Sequence, residues 1–108
     1  MQTVALRTRL KPGKEIEYEQ VHRVIPGDLA IAIREAGATS WRIWRDGRDL
    51  FHLVEVEDFG RMQAAMAKNP VNIAWQARMA RLLDVEFTYE DSQEGLSLVW
   101  SLATQESS

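Results

Sequence analysis

Apolar residues recur at two different spacings along this chain, and the order in which those spacings follow one another restricts the fold more than any single motif. Residues 2 to 10 repeat every two positions: Val4, Leu6, Thr8 and Leu10 share one side, Thr3, Ala5, Arg7 and Arg9 the other, as in a half-buried strand. Lys11-Pro12-Gly13-Lys14 ends this run as a turn. From Glu15 to Ala36 the spacing becomes helical, with Val21, Ile25, Leu29, Ala32 and Ile33 on one inward face and Gly37 as the C-cap. Thr39 to Asp46 and Leu50 to Glu57 are rich in strand formers around Asp46-Gly47-Arg48-Asp49, which predicts a β-hairpin.

The pattern then returns to helix. Asp58 caps a segment running through Arg61, Met62, Ala65 and Met66; Asn69-Pro70 restarts it, and it continues through Trp75, Met79 and Leu83. Asp84 to Glu94 holds acidic residues without Lys or Arg and reads as a solvated connection. Leu96, Leu98, Trp100 and Leu102 alternate with Ser97, Val99 and Ser101, which predicts a last strand over 96–102, with residues 103–108 as a flexible tail. The order β-α-β-β-α-β is the ferredoxin-like arrangement of the α+β class, one antiparallel sheet with helices on a single face, in one domain over residues 1–102. The uncovered sheet face predicts a second subunit laid against it, a homodimer in the manner of a dimeric α/β barrel.

Charge and composition narrow the function classes. A formal net charge of -3 supplies no basic field for a phosphate backbone, so no nucleic-acid partner is expected and a neutral small molecule is. The absence of cysteine removes disulfides, thiolate nucleophiles and cysteine-ligated metals. Two histidines and scattered carboxylates argue for no metal, and no phosphate-binding glycine loop or nucleophile elbow is present, so no cofactor is expected. The amino-terminal MQTVALRTRL lacks the apolar run of a signal peptide or spanning helix, giving the expectation of a cytoplasmic protein with no membrane partner.

One helix carries the best chemical pair. Tyr18 and His22 lie one turn apart on the face that Val21, Ile25 and Leu29 turn inward. Pro26 lacks an N–H and crowds the His22 carbonyl, and Gly27 loosens the chain further, so the helix should break beside the histidine and make room for a ligand. Asp28 is placed to cap the restarted turn. The plainer meaning of the same residues is a pair at the rim of the core and a helix bent around the sheet. Trp41 and Trp44, three apart on a strand, must face opposite layers. Trp75 and Trp100 offer apolar walls of the kind that stack on sugar faces, although each taken singly is more often core. His52, alternating with Leu50, Val54 and Val56, reads as structural with at most a secondary role. Arg42, Arg45 and Arg48 around the hairpin could bind an anion, although a charged, solvated edge is the commoner meaning.

Taken in order, the Lys-Pro-Gly-Lys turn, Tyr18-x-x-x-His22, Ile43-Trp44-Arg45-Asp46 before the hairpin, Val54-Glu55-Val56-Glu57, and Asn69-Pro70-Val71-Asn72 leading to Trp75-Gln76 resemble the L-rhamnose mutarotase family over residues 2 to about 102. The resemblance implies a small dimer that interconverts the α and β anomers of a 6-deoxy-L-hexose such as L-rhamnose or L-fucose, without a cofactor. It implies His22 as the proton-transferring residue and Tyr18 as a substrate contact. Trp41 stands where the family commonly has a substrate-contacting tyrosine, and Trp75 matches the second residue of an aromatic pair. Ala74 replaces the first, usually tryptophan or arginine, and Ile25-Pro26-Gly27 replaces a tryptophan-proline-acid pattern. Two rival readings share the fold: a cofactor-independent monooxygenase with an aromatic substrate, and a non-catalytic sugar-binding or dimerisation module.

Overall fold

The computed structural model describes residues 1–84 and 95–104. Its elements are β1 (Gln2–Arg9), α1 (Glu15–His22), α2 (Gly27–Glu35), β2 (Ala38–Asp46), β3 (Asp49–Val56), α3 (Phe59–Lys68) and α4 (Pro70–Met79). The strands form one antiparallel sheet in the order β1-β3-β2, so the hairpin strand β3 is central. Val4, Leu6, Val54 and Val56 on one sheet face pack with Leu29 and Ala32 of α2 and with Phe59, Met62 and Met66 of α3. A second cluster gathers Leu10, Tyr18, Leu50, Met79, Leu82 and Leu83, and Trp75 packs against both. The expected α+β class and the single helical layer are both present.

Local chemistry explains the boundaries. The hairpin closes over Gly47-Arg48, where Gly47 takes a φ of +60°, a conformation that glycine adopts without steric cost. Asp58 accepts a hydrogen bond from the Arg61 N–H at 3.1 Å, capping α3. Asn69 accepts from the Val71 and Asn72 N–H groups, and Pro70 occupies the first turn of α4, where a missing N–H costs nothing. The helix over 15–36 is broken as expected, His22 being the last residue of α1 and Gly27 the first of α2. Asp28 is not the N-cap, a position held by Pro26; its carboxylate instead accepts from the Leu29 N–H inside the first turn.

One irregularity in β2 has a large effect on what the sheet presents. Ala38 pairs with Val56 but Ser40 pairs with Glu55, so Thr39 is an extra residue, a β-bulge. Beyond it Trp41 lies opposite Val54 and Ile43 opposite His52, on the helix side, while Arg42 and Trp44 turn to the far face. Trp41 and Trp44 therefore do occupy opposite layers.

The strand expected over 96–102 is not formed. The Leu96 N–H donates to the Ala5 carbonyl at 2.6 Å, along the outer edge of β1, but no ladder follows, and Leu102–Thr104 is a short 3-10 turn. Gly95 makes this approach feasible: at φ +71° it sits so close to β1 that a β-carbon would lie 2.5 Å from the Ala5 oxygen. Past it Leu98 and Val99 are 81% and 95% exposed. Alternation in sequence marks a segment with one face to bury, and among the described residues Leu96, Leu98 and Leu102 of that face are exposed. The acidic stretch read over 84–94 lies, after Asp84, outside the described residues.

Candidate active site

Between the sheet and the helices lies a cavity of about 440 Å³, within the roughly 300–1,000 Å³ usual for small-molecule sites. Tyr18 and His22 line it from α1, Arg23 and Ile25 from the helix break, Leu29 and Ile33 from α2, and Asn72, Trp75, Gln76 and Met79 from α4. Its sheet side is Thr8, Trp41, Ile43 and His52. The break after His22 thus borders this space, as the proline and glycine suggested. All four residues singled out from the sequence, Tyr18, His22, Trp41 and Trp75, are brought to one cavity.

The imidazole of His22 is held on three sides. Its Nδ1 lies 3.0 Å from the Tyr18 carbonyl oxygen, which can only accept, so the proton of the neutral ring sits on Nδ1. Nε2 then carries the lone pair, and among the described residues it has no hydrogen-bond partner. The Tyr18 ring stacks on the imidazole at 4.0 Å between centroids and 26° between planes, and Trp75 meets it edge-on at 5.2 Å. Burial lowers the His22 pKa below the usual 6.5; the Tyr18 carbonyl acts in the opposite sense and the Arg78 charge in the same sense. The ring is therefore chiefly neutral at neutral pH, a base with Nε2 as its titrating atom. Burial drives the Tyr18 phenol far above its ordinary range, so it stays an un-ionised hydroxyl.

The sheet side carries polar groups that the sequence assigned at most a secondary role. His52 is buried, with Nδ1 accepting from the Trp41 indole N–H at 3.2 Å and Nε2 lying 3.0 Å from the Thr8 hydroxyl. Desolvation takes its pKa down to about 4, with the nearby His22 acting in the same sense. Thr8 and His52 could have been noticed together, because both fall on the inward side of their strands, where a polar group needs a partner. On α4, Asn72 is buried and donates to the Met66 carbonyl at 3.0 Å. Ala74 does not touch this cavity; it lines a neighbouring one, also about 440 Å³, that shares Leu29 and Trp75 as its wall. Arg42 lies over the Trp44 ring, Arg45 pairs with Glu19, and Arg48 bonds the Leu10 carbonyl and Asp84, so the hairpin arginines have partners of their own. Among the described residues no group of three His, Asp or Glu side chains is placed to hold a metal ion.

Comparison with known proteins shows the family. A family model described as L-rhamnose mutarotase matches residues 3–102. The chain belongs to the L-rhamnose mutarotase family. Members are isomerases acting on carbohydrate, and among its curated relatives are L-rhamnose mutarotases of Burkholderia ambifaria and Sinorhizobium medicae. The first is 40% identical over 85 residues, covering 77% of this chain and 81% of the relative. The second is 31% identical over 104 residues, covering 94% and 99%. A crystal structure of an L-rhamnose mutarotase from Formosa agariphila superposes with a TM-score of 0.77 over 94% of this chain and 99% of that one, at 19% identity, so the family fold is shared where little sequence is. No helix among the described residues of this mutarotase-family chain is long and apolar enough to cross a membrane.

Proposed function

We propose that this chain interconverts the α and β anomers of a 6-deoxy-L-hexose, L-rhamnose first and L-fucose as a related substrate, with His22 as general acid and base. The observation that carries the reading is an imidazole whose Nδ1 is engaged by the Tyr18 carbonyl while Nε2 is left for the cavity. Ring opening needs a proton taken from the anomeric hydroxyl as its oxygen becomes the aldehyde carbonyl, and a proton given to the ring oxygen as its bond to C1 breaks. Both oxygens are bonded to C1, so one nitrogen can reach each in turn. Rotation about C1–C2 then presents the other face of the aldehyde, and the same transfers in reverse close the ring.

The walls suit such a sugar. Trp75 and Trp41 offer aromatic faces to the C–H side of a pyranose, and Tyr18 supplies a neutral phenol beside the imidazole. Ile25, Leu29, Ile33 and Met79 offer an apolar lining for a C6 methyl in place of a hydroxymethyl. Exchange spectroscopy on L-rhamnose and L-fucose tests this: protein-accelerated exchange between the anomeric signals is expected for at least one. Line broadening without exchange would leave only a sugar-binding module, and no response at all would favour an aromatic substrate.

The same reading makes the protein a cytoplasmic homodimer with neither nucleic acid nor membrane as partner. Its sheet exposes Trp44 and Phe51 on the far face, and Leu96, Leu98, Val99 and Leu102 are exposed as well, so a second copy is the natural cover. Light scattering should give about twice the 12.4 kDa chain mass. The double variant Trp44→Glu, Leu98→Asp should weaken association by about 2 kcal/mol or more, as loss of a tryptophan from an interface centre does. A wild-type monomer at micromolar concentration would overturn the dimer.

A further inference from the structure

Three side chains on three neighbouring strands form a hydrogen-bond chain whose direction is settled by chemistry. His52 lies on central β3; in the ladder Leu6 and Ile43 are its direct partners, so Thr8 on β1 and Trp41 on β2 are its diagonal neighbours. An indole N–H can only donate, so His52 Nδ1 must accept and cannot carry a proton. A neutral imidazole has one proton, which is then on Nε2, and Nε2–H donates to the Thr8 oxygen. The other states fail: a charged ring would set Nδ1–H against the indole N–H, and the opposite tautomer would do the same.

The consequence falls on Thr8. Its oxygen is taken as an acceptor by His52, so its own proton must point elsewhere, and among the described residues no acceptor for it is present. Thr8 is buried and lines the cavity from the sheet side, facing the helical wall that holds His22. A buried hydroxyl proton beside a ligand space is a donor waiting for an acceptor.

We infer that Thr8 donates a hydrogen bond to an oxygen of the bound sugar, and that Trp41 and His52 act as positioning residues that hold it in the donating state. This rests on the mutarotase reading for the identity of the ligand. It adds a specificity contact on the floor of the site, one that rewards a substrate with an acceptor oxygen there and discriminates against the corresponding deoxy analogue.

The test combines kinetics with a spectroscopic readout that needs no substrate. Long-range 1H–15N spectra of the wild-type protein at neutral pH should show His52 neutral with its proton on Nε2; the Nδ1–H form or the cation would overturn the relay. Thr8→Val, close in shape but without the hydroxyl, should raise KM for L-rhamnose by roughly 3- to 10-fold, the value of one neutral hydrogen bond, rather than lowering kcat. Thr8→Ser keeps the donor and should restore most of the affinity. It also guards against a valine variant that merely folds poorly. His52→Leu should raise KM in the same way, and His52→Gln, whose amide can accept from Trp41 and donate to Thr8, should recover most of that loss. An unchanged KM in a folded Thr8→Val protein would overturn the sugar contact while leaving the mutarotase reading intact. A wild-type protein that accelerates no anomer exchange would sink the mutarotase reading itself and the sugar contact with it, whatever the ring spectra show.

Discussion

In His22→Ala, anomer exchange at saturating sugar should fall by roughly 10²–10⁴-fold, the usual worth of a positioned general acid and base. Binding should survive, because the aromatic and aliphatic walls of the cavity remain. The loss therefore belongs in kcat with KM little altered, the signature of an interaction made in the transition state rather than in the ground state. The pH profile of the wild type supplies an independent check. Burial holds the His22 pKa below 6.5, and in the proposed reaction the neutral ring is the form that would accept the anomeric proton. Exchange should be level above pH 6.5 and decline only as pH drops through that lowered value. A decline centred above 6.5 would mean that another group limits the reaction. Full activity in a folded His22→Ala protein would remove the assignment outright.

The second large effect concerns stability in acid. His52 has a folded-state pKa of about 4 against 6.5 when the chain is unfolded. Between those values the unfolded chain binds more protons, so stability rises with pH across the window and falls as pH is lowered through it. Above pH 6.5 the contribution is complete; below about 4 it has gone. The gap corresponds to about 3 kcal/mol, a large share of the roughly 5–15 kcal/mol typical of a domain. His22 acts in the same direction just below 6.5. Denaturant titrations at pH 7, 5.5 and 4 should show this decline, and His52→Gln, which has no proton to gain, should lose clearly less between pH 7 and 4. An identical slope in that variant would show that His52 is not what destabilises the fold in acid.

How far the sequence could be read depends on what each signal measures. Periodicity reports which residues have a face to bury, and it served well where the chain buries that face itself: β1, the hairpin and α1 to α3 lie where the spacing put them, with the break at Pro26 between His22 and Gly27, while α4 stops at Met79, short of the expected Leu83, which instead bridges Leu10. It misled at Leu96 to Leu102, because alternation alone does not supply a neighbouring strand: a single bond from Leu96 to Ala5 is made, no ladder follows, and Leu96, Leu98 and Leu102 stand exposed. The tyrosine, histidine and two tryptophans of the cavity were legible through helical and strand geometry and a family likeness. Thr8 and His52 were not, since a threonine on a strand is ordinary and a lone strand histidine is usually structural. Their significance arises only from the diagonal register across three strands, which a linear string does not display. Strand parity by itself put Trp41 and Trp44 on opposite faces without saying which is inward; only the family likeness pointed to Trp41.

The bulge at Thr39 supplies that missing bit of information, and with it the chemical character of the chamber. Were the ladder to run on from Ala38 and Val56 without the bulge, Thr39 would lie opposite Glu55 and β2 would be turned over from Ser40 onward, bringing the Arg42 guanidinium and the Trp44 indole indoors and expelling Trp41 and Ile43. The chamber would then hold an interior cation and lose the indole that orients His52, whereas deletion of Thr39 itself would leave Ser40 opposite Glu55 and preserve the uncharged interior.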